Sequence, residues 1–245
     1  MKDDLGTRMK TQYEQRTRTW LPRRTYTIIR LDGKAFHTFT KNMNRPYDIG
    51  FMRTMDETAK FLCEDIQGAV MAYVQSDEIS LLLTDFDKIT TDAWFDGQVQ
   101  KMVSVSASMA TAKFNELLNL NWGSSTQYSP KPKGLAFFDA RIFTIPDPVE
   151  VENYFVWRQK DATRNSLAMH AQSLYSHKQL HGKSQTDMHD MIHEKGENWD
   201  KLPDGFKRGR TIGVAPLTGE WMLDTPDFLK ERFILTGLIP KIEYE

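Results

Sequence analysis

β-Formers crowd Tyr26 to Leu31 (YTIIRL), which predicts a strand, and Asp32-Gly33 reads as the turn that closes it. A loop follows, with Asn42, Asn44 and Pro46 as breakers. From Phe51 the period changes. Phe51, Met55, Ala59, Leu62 and Ile66 recur at helical spacing and make one apolar stripe. Asp48 is placed to cap that helix and Gly68 to end it. Ala69 to Val74 and Ile79 to Leu83 read as two further strands. Only Gln75, Ser76, Asp77 and Glu78 separate them, a hairpin length. A second helix is predicted from Gln98 to Leu118, with Val99, Met102, Val103, Ser106, Ala110, Phe114 and Leu117 on one face. Residues 121–133 read as a polar loop, and Gly134 to Ile145 as a fourth strand bent near Asp139.

Strand, helix, strand, strand, helix, strand is the ferredoxin-like βαββαβ order: an antiparallel sheet with helices on one face. Beyond Pro146 and Pro148 the pattern turns helical. Val149 to Ser176 is one long helix or two, and Thr186 to Glu194 is another. Arg210 to Ala215 suits a strand, and Pro226 to Leu235 a last helix. The expected fold class is α+β, with a catalytic core over residues 1–148. Residues 149–245 are expected to form a helical extension packed on that core in one compact unit.

Composition narrows the class without naming a function. The 245 residues are 40% apolar and 27% charged, with a net charge of −1, which suits a folded soluble chain rather than a uniformly basic one. No apolar run is long enough to span a bilayer, and the polar N-terminus has no signal-peptide core, so no membrane partner is expected. The single cysteine, Cys63, falls on the apolar helix stripe, as a core residue would. One cysteine excludes an internal disulfide and fits a cytoplasmic setting. Arg16, Arg18, Arg23 and Arg24 crowd the start. Lys201, Lys207, Arg208 and Arg210 crowd a later segment against Asp200 and Asp204 alone. Such clusters suit either phosphate or solvent.

In YVQSDEISLLL, Tyr73 to Leu83, two acids interrupt what otherwise reads as core. In a βαββαβ sheet the first strand neighbours the central hairpin, so Asp32, Asp77 and Glu78 could meet at one sheet edge. Crowded carboxylates repel unless a cation neutralises them. Hard oxygen donors suit Mg²⁺ together with substrate phosphates, and two such ions can serve a phosphoryl transfer. A polar hairpin tip beside an ordinary turn is the other reading.

RLDGKAFHTF (Arg30 to Phe39), YVQSDEISLLL, FDARIF (Phe138 to Phe143) and NYFVWRQKDATRNSL (Asn153 to Leu167) resemble, in order and separation, motifs of the tRNA-histidine guanylyltransferase family. The resemblance covers residues 20–167 well and the remainder loosely. It implies a polymerase-palm-like fold and nucleotide addition to tRNA 5′ ends in the 3′-to-5′ direction. By resemblance, two Mg²⁺ ions are held by Asp32, Asp77 and the carbonyl of Gly33, with Glu78 beside them. Arg30 and Lys101 resemble cationic triphosphate contacts. The loop through Lys34, Ala35, Phe36 and His37 would offer backbone N–H groups to phosphate. Ser76 matches a hydroxyl near the activated nucleotide, and Arg45 and Asp48 lie near a basic and an acidic position of the family.

The family's His-Ile-Asn-Asn stretch is replaced by Thr163, Arg164, Asn165 and Ser166. That departure is similar to the Thg1-like proteins of bacteria and archaea, which repair 5′-truncated tRNA by copying the opposing strand. Ala140 stands where the family commonly has Gly. The resemblance further implies ATP-dependent 5′ adenylylation, attack by the 3′-hydroxyl of an NTP such as GTP, and a homotetramer. Arg158, Asn165, Lys178, Lys207, Arg208 and Arg210 are the candidate tRNA contacts.

Rival readings are tRNA-His-specific guanylate addition, a palm-fold nucleotide cyclase and a non-catalytic RNA-binding protein. HDMIH (His189 to His193) suggests a zinc helix with Asp190 as base. HGKS (His181 to Ser184) lacks the earlier glycine of a phosphate loop.

Overall fold

The computed structural model describes residues 4–122, 132–215 and 218–242. A short helix α1 (Leu5–Gln12) leads into β1 (Tyr26–Gly33), a one-turn helix α2 (Phe36–Phe39) and α3 (Ile49–Asp65). The hairpin β2 (Ala69–Gln75) and β3 (Glu78–Leu83) follows, then α4 (Val99–Trp122) and β4 (Phe138–Ile145). The remainder comprises α5 (Pro148–Leu174), α6 (His177–Leu180), α7 (Gln185–Glu194), α8 (Asp204–Arg208), β5 (Arg210–Val214), β6 (Trp221–Asp224) and α9 (Arg232–Leu238).

The strands form one antiparallel sheet in the order β4-β1-β3-β2-β5-β6. Its first four strands have the palm-like ferredoxin order expected from the βαββαβ pattern. Two layers bury it. Ile29 and Leu31 of β1 and Ile79, Leu81 and Leu83 of β3 face α3 and α4 in one core. Tyr26 and Ile28 of β1, Met71 and Tyr73 of β2 and Leu82 of β3 face α5 and the C-terminal segment in another. All six residues of β3 are therefore buried. This explains why Ile79 to Leu83 reads as an almost continuous apolar run rather than an alternating one.

Helix α3 starts where expected: the Asp48 carboxylate accepts from the Phe51 N–H at 2.9 Å. Phe51, Met55, Ala59 and Leu62 point into the core, as does Cys63, whose thiol burial pushes up. Helix α4 buries Met102, Ser106, Ala110, Phe114 and Leu118. Phe114 sits among Phe36, Phe39, Phe51 and Phe138 with ring centroids 5.4–6.1 Å away.

Several elements differ from the sequence reading. The predicted loop after β1 contains α2. The loop expected over 121–133 begins no earlier than the end of α4, and its residues 123–131 lie outside the described residues. The strand expected over Arg210 to Ala215 forms as β5, but it pairs with β2 and is joined by an unexpected β6, so the sheet runs past residue 148. The helix expected over Pro226 to Leu235 starts only at Arg232. The Phe228 N–H donates to the Gln159 side chain at 2.7 Å, which takes that backbone out of a helical ladder. Among the described residues, no helix is long and apolar enough to cross a membrane.

Truncating the shared aromatic of the α3/α4 layer tests this packing. Phe114→Ala should lower unfolding free energy by about 3–5 kcal/mol, seen as a lower urea midpoint with an unchanged slope.

Candidate active site at the β1–hairpin edge

β1 and β3 pair so that Asp32 stands opposite Glu78, Leu31 opposite Ile79 and Arg30 opposite Ser80. Side-chain alternation puts Arg30, Asp32, Glu78 and Ser80 on the α5 face. The first-strand aspartate and the hairpin acids therefore meet, as the βαββαβ order predicts. On the other side of β1, Asp139 of β4 stands opposite Asp32. The sequence reading used Asp139 only to mark a bend, because motif spacing does not reveal the β1–β4 register.

The hairpin turn is tighter than expected. Glu78 already belongs to β3, and only Ser76 and Asp77 lie in the turn, with Ser76 at φ 47°. A serine in left-handed backbone is uncommon outside tight turns and functional sites. The Gly33 N–H donates to the Asp77 carbonyl at 3.1 Å, which ties the end of β1 to the turn. Gly33 is obligatory here: a Cβ would fall 2.3 Å from the Phe36 ring. Phe36 itself is core, so its side chain anchors the loop while its backbone faces outward. The N–H groups of Ala35, Phe36 and His37 have no acceptor among the described residues, and Ala35 adopts φ 56°. Such a run is an anion cradle. The Lys34 N–H is already used, donating to the Phe137 carbonyl at 2.8 Å, and its ammonium lies over the Phe137 ring.

A cleft of about 310 Å³ opens beside the turn. His37, Arg45, Ser76 and Asp77 are among its lining residues, with Asn165 and Met169 of α5 and Arg210 of β5. Arg30, Asp32 and Lys101 are outside its lining, so Asp77 joins the cleft to the Asp32 face. Lys101, on the first turn of α4, is exposed and sits 5.6 Å from the Phe95 ring centroid.

The charges are unevenly matched. Burial raises the Asp77 carboxyl from 3.8 to about 6, and the Asp32 charge adds to the shift. Glu78, 5% exposed, takes the neighbouring cations instead. Arg158 donates Nε to its Oε1 at 2.8 Å and Nη2 to its Oε2 at 2.7 Å, and Arg30 Nη2 meets Oε2 at 2.7 Å. Among the described residues, Asp32 and Asp77 have no cationic partner, and Asp77 is bonded only by Ser76 and its own backbone. Two hard carboxylates, with the Gly33 carbonyl adjoining, fit a divalent cation such as Mg²⁺. No trio of His, Cys, Asp or Glu side chains is grouped to hold an ion among the described residues, so Glu78 does not complete such a set. The zinc helix gains no support from this either. On α7, His189 packs edge-on against Trp199 at 5.5 Å and His193 is exposed.

Three of the expected tRNA contacts are buried in the fold. Arg158, Lys207 and Arg210 are only 3–5% exposed. Arg158 is bonded to Glu78 and Asp161, Lys207 Nζ donates to the Asp200 carbonyl at 2.7 Å, and Arg210 pairs with Asp56 at 2.5 Å. All three are held by partners within the chain, though Arg210 also lines the cleft and its Nη2 has no hydrogen-bond partner among the described residues. Arg208 is part-buried between Asp204 and Asp227, whereas Asn165 and Lys178 are exposed. Gln159, missed by the sequence reading, holds the C-terminal segment through Phe228 and Pro226. Its signal was the WRQ motif, where Gln follows Arg158.

Comparison with known proteins gives the family. A family model described as tRNAHis guanylyltransferase matches residues 6–146. The chain belongs to that family. Its members are nucleotidyltransferases, and this chain is one of them. It is 27% identical to the tRNA(His) guanylyltransferase of Schizosaccharomyces pombe over 243 residues, covering 93% of this chain and 88% of the relative. It is 31% identical to an uncharacterised protein of Acanthamoeba polyphaga mimivirus, covering 86% and 77%. A bacterial tRNA(His) guanylyltransferase-like protein solved in complex with ATP superposes with a TM-score of 0.86 at 44% identity, covering 96% of this chain and 99% of that one. A bacterial guanylyltransferase-like protein in complex with GTP gives 0.78 at 39%, with the same coverage.

Asp77 links stability to pH. Its carboxyl holds a proton more tightly in the folded chain than in the unfolded one. The stability this contributes is full below about pH 4 and is lost as pH rises through about 6. Asp77→Asn should therefore stabilise the metal-free protein at pH 7.5 by an amount on the order of 1 kcal/mol, with the difference vanishing near pH 4. Thermal unfolding across pH checks it.

Proposed function

We propose that this guanylyltransferase-family enzyme repairs 5′-truncated tRNA by template-dependent nucleotide addition in the 3′-to-5′ direction. The observation that carries the reading is the Asp32–Asp77 pair, with no cation bonded to either among the described residues, where Asp77 lines a cleft that the unbonded N–H groups of Phe36 and His37 also border. Two relatives of this fold take ATP and GTP, which supports nucleoside triphosphates as its substrates.

In this reading Asp32, Asp77 and the Gly33 carbonyl would hold two Mg²⁺ ions, which would supply neutralisation of phosphate charge and activation of the attacking oxygen. The Ala35–His37 backbone receives triphosphate oxygens, and His37 and Arg45 flank the cleft mouth. Ser76 places its hydroxyl beside the reacting phosphate. The tRNA 5′-monophosphate first displaces pyrophosphate from ATP. The 3′-hydroxyl of an NTP paired with the template then displaces AMP. Both steps are in-line transfers in which positioning by the protein sets the rate.

The repair reading rests further on the α5 tract. Thr163 donates its hydroxyl to the Gln159 carbonyl at 3.0 Å and Ser166 donates to the Lys207 carbonyl at 3.1 Å. Both hydroxyls are bonded to carbonyls of the chain itself, and of this four-residue tract Asn165 and Ser166 line the cleft. Asn165, Lys178 and Arg208 remain as tRNA contacts, with the chain acting as a cytoplasmic homotetramer.

The test uses purified protein, Mg²⁺, ATP, NTPs and a 5′-monophosphorylated tRNA lacking its first nucleotide. Lengthening at the 5′ end by the templated residue is expected. Addition of a single guanylate to intact tRNA-His alone would favour the dedicated activity instead. Asp32→Asn and Asp77→Asn should each cut the rate by at least about 10²-fold, with the circular dichroism spectrum unchanged.

A further inference from the structure

Asp32 and Glu78 are direct partners across two antiparallel strands. Like charges in that position repel. The chain resolves this on one side only. Both oxygens of Glu78 are held by cations: Oε1 accepts from Arg158 Nε at 2.8 Å, and Oε2 accepts from Arg158 Nη2 at 2.7 Å and pairs with Arg30 Nη2 at 2.7 Å, while Ser80 Oγ lies 3.4 Å from Oε1 and 2.8 Å from the Tyr154 hydroxyl. A forked guanidinium thus occupies one acceptor site on each oxygen, and a second guanidinium lies against Oε2. Glu78 is neutralised by Arg158 and Arg30, so its charge is already met without an external cation.

The same contacts reach backwards through the chain. Arg158 also donates to Asp161 at 2.9 Å, and its guanidinium lies 4.4 Å from the exposed Trp157 ring centroid. The next residue, Gln159, bonds Pro226 and Phe228. Helix α5 is thus fixed to the C-terminal segment at one residue and to the hairpin at the preceding one. The residue before Glu78 is Asp77, whose carbonyl receives the Gly33 N–H. Fixing Glu78 fixes the turn.

We infer that Glu78 is not a cation ligand, and that the Glu78–Arg158 pair is a positioning device that sets the Asp32–Asp77 geometry from α5. This rests on the reading of Asp32 and Asp77 as the cation ligands. The pair keeps a third negative charge out of the site and makes the catalytic turn depend on the C-terminal half of the chain.

A double-mutant cycle of Glu78→Gln, Arg158→Met and the two combined tests it, with Asp32→Asn as control. The readouts are Mn²⁺ affinity by electron paramagnetic resonance, the rate at saturating Mg²⁺, and thermal unfolding. Each single variant is expected to keep Mn²⁺ affinity within about threefold of wild type and to lose rate at least about tenfold. The combined variant should be no slower than the worse single one, as coupled partners behave. Arg158→Lys, which keeps the charge but loses the fork, should fall between wild type and Arg158→Met. A tenfold or greater loss of Mn²⁺ affinity in Glu78→Gln but not in Arg158→Met, on a protein that melts as a folded chain, overturns the inference. So does additivity of the two rate losses. If Asp32→Asn leaves Mn²⁺ affinity unchanged, it is instead the cation reading of the site that fails.

Discussion

The antiparallel register of β1 on β3 is the constraint from which the site follows. It places Asp32 opposite Glu78 and Arg30 opposite Ser80, all on one face. A slip of one residue would send every one of these side chains to the other face, into the α3/α4 layer. The apolar partners hold the register: Ile29 and Leu31 against Leu81 and Ile79 on one side, Ile28 against Leu82 on the other. Core packing and placement of the acids are therefore the same structural decision.

Burial then sorts the charges. Glu78 lies where two arginines can reach it and is neutralised. Asp77, one residue away at the turn, is half-buried without such a partner. The contrast between adjacent carboxylates is what makes one structural and leaves the other strained. The cost to the folded chain is a poorly solvated negative charge held beside Asp32, as expected where binding of an external cation and phosphates supplies the compensation.

Much of the core was legible. The helical stripe from Phe51, its Asp48 cap, the two strands around QSDE and their pairing with the first strand all depend on local period and turn length. The motif resemblance carried Asp32 and Asp77. Less legible was anything that depends on which cation meets which acid. Arg158, Lys207 and Arg210 read as a basic surface because sequence shows charge but not partners, and Glu78, Asp200 and Asp56 come from distant segments. The strands β5 and β6 were half-missed for a similar reason. Trp221–Asp224 is a short edge strand with Met222 and Leu223 exposed, so it carries little periodic signal. The Pro226 segment has helix-compatible residues, but Gln159 claims its backbone.

The two sheet layers also bear on how such a chain can be reused. The α5 face of β1, β2 and β3 presents Tyr26, Ile28, Met71, Tyr73 and Leu82, all fully or almost fully shielded by α5 and the segment around Phe228. Severed at the start of α5, the first half would show that greasy sheet to water and leave Glu78 with Arg30 alone. Shuffling it as a portable module onto another scaffold would require a replacement roof that brings its own guanidinium to the same spot.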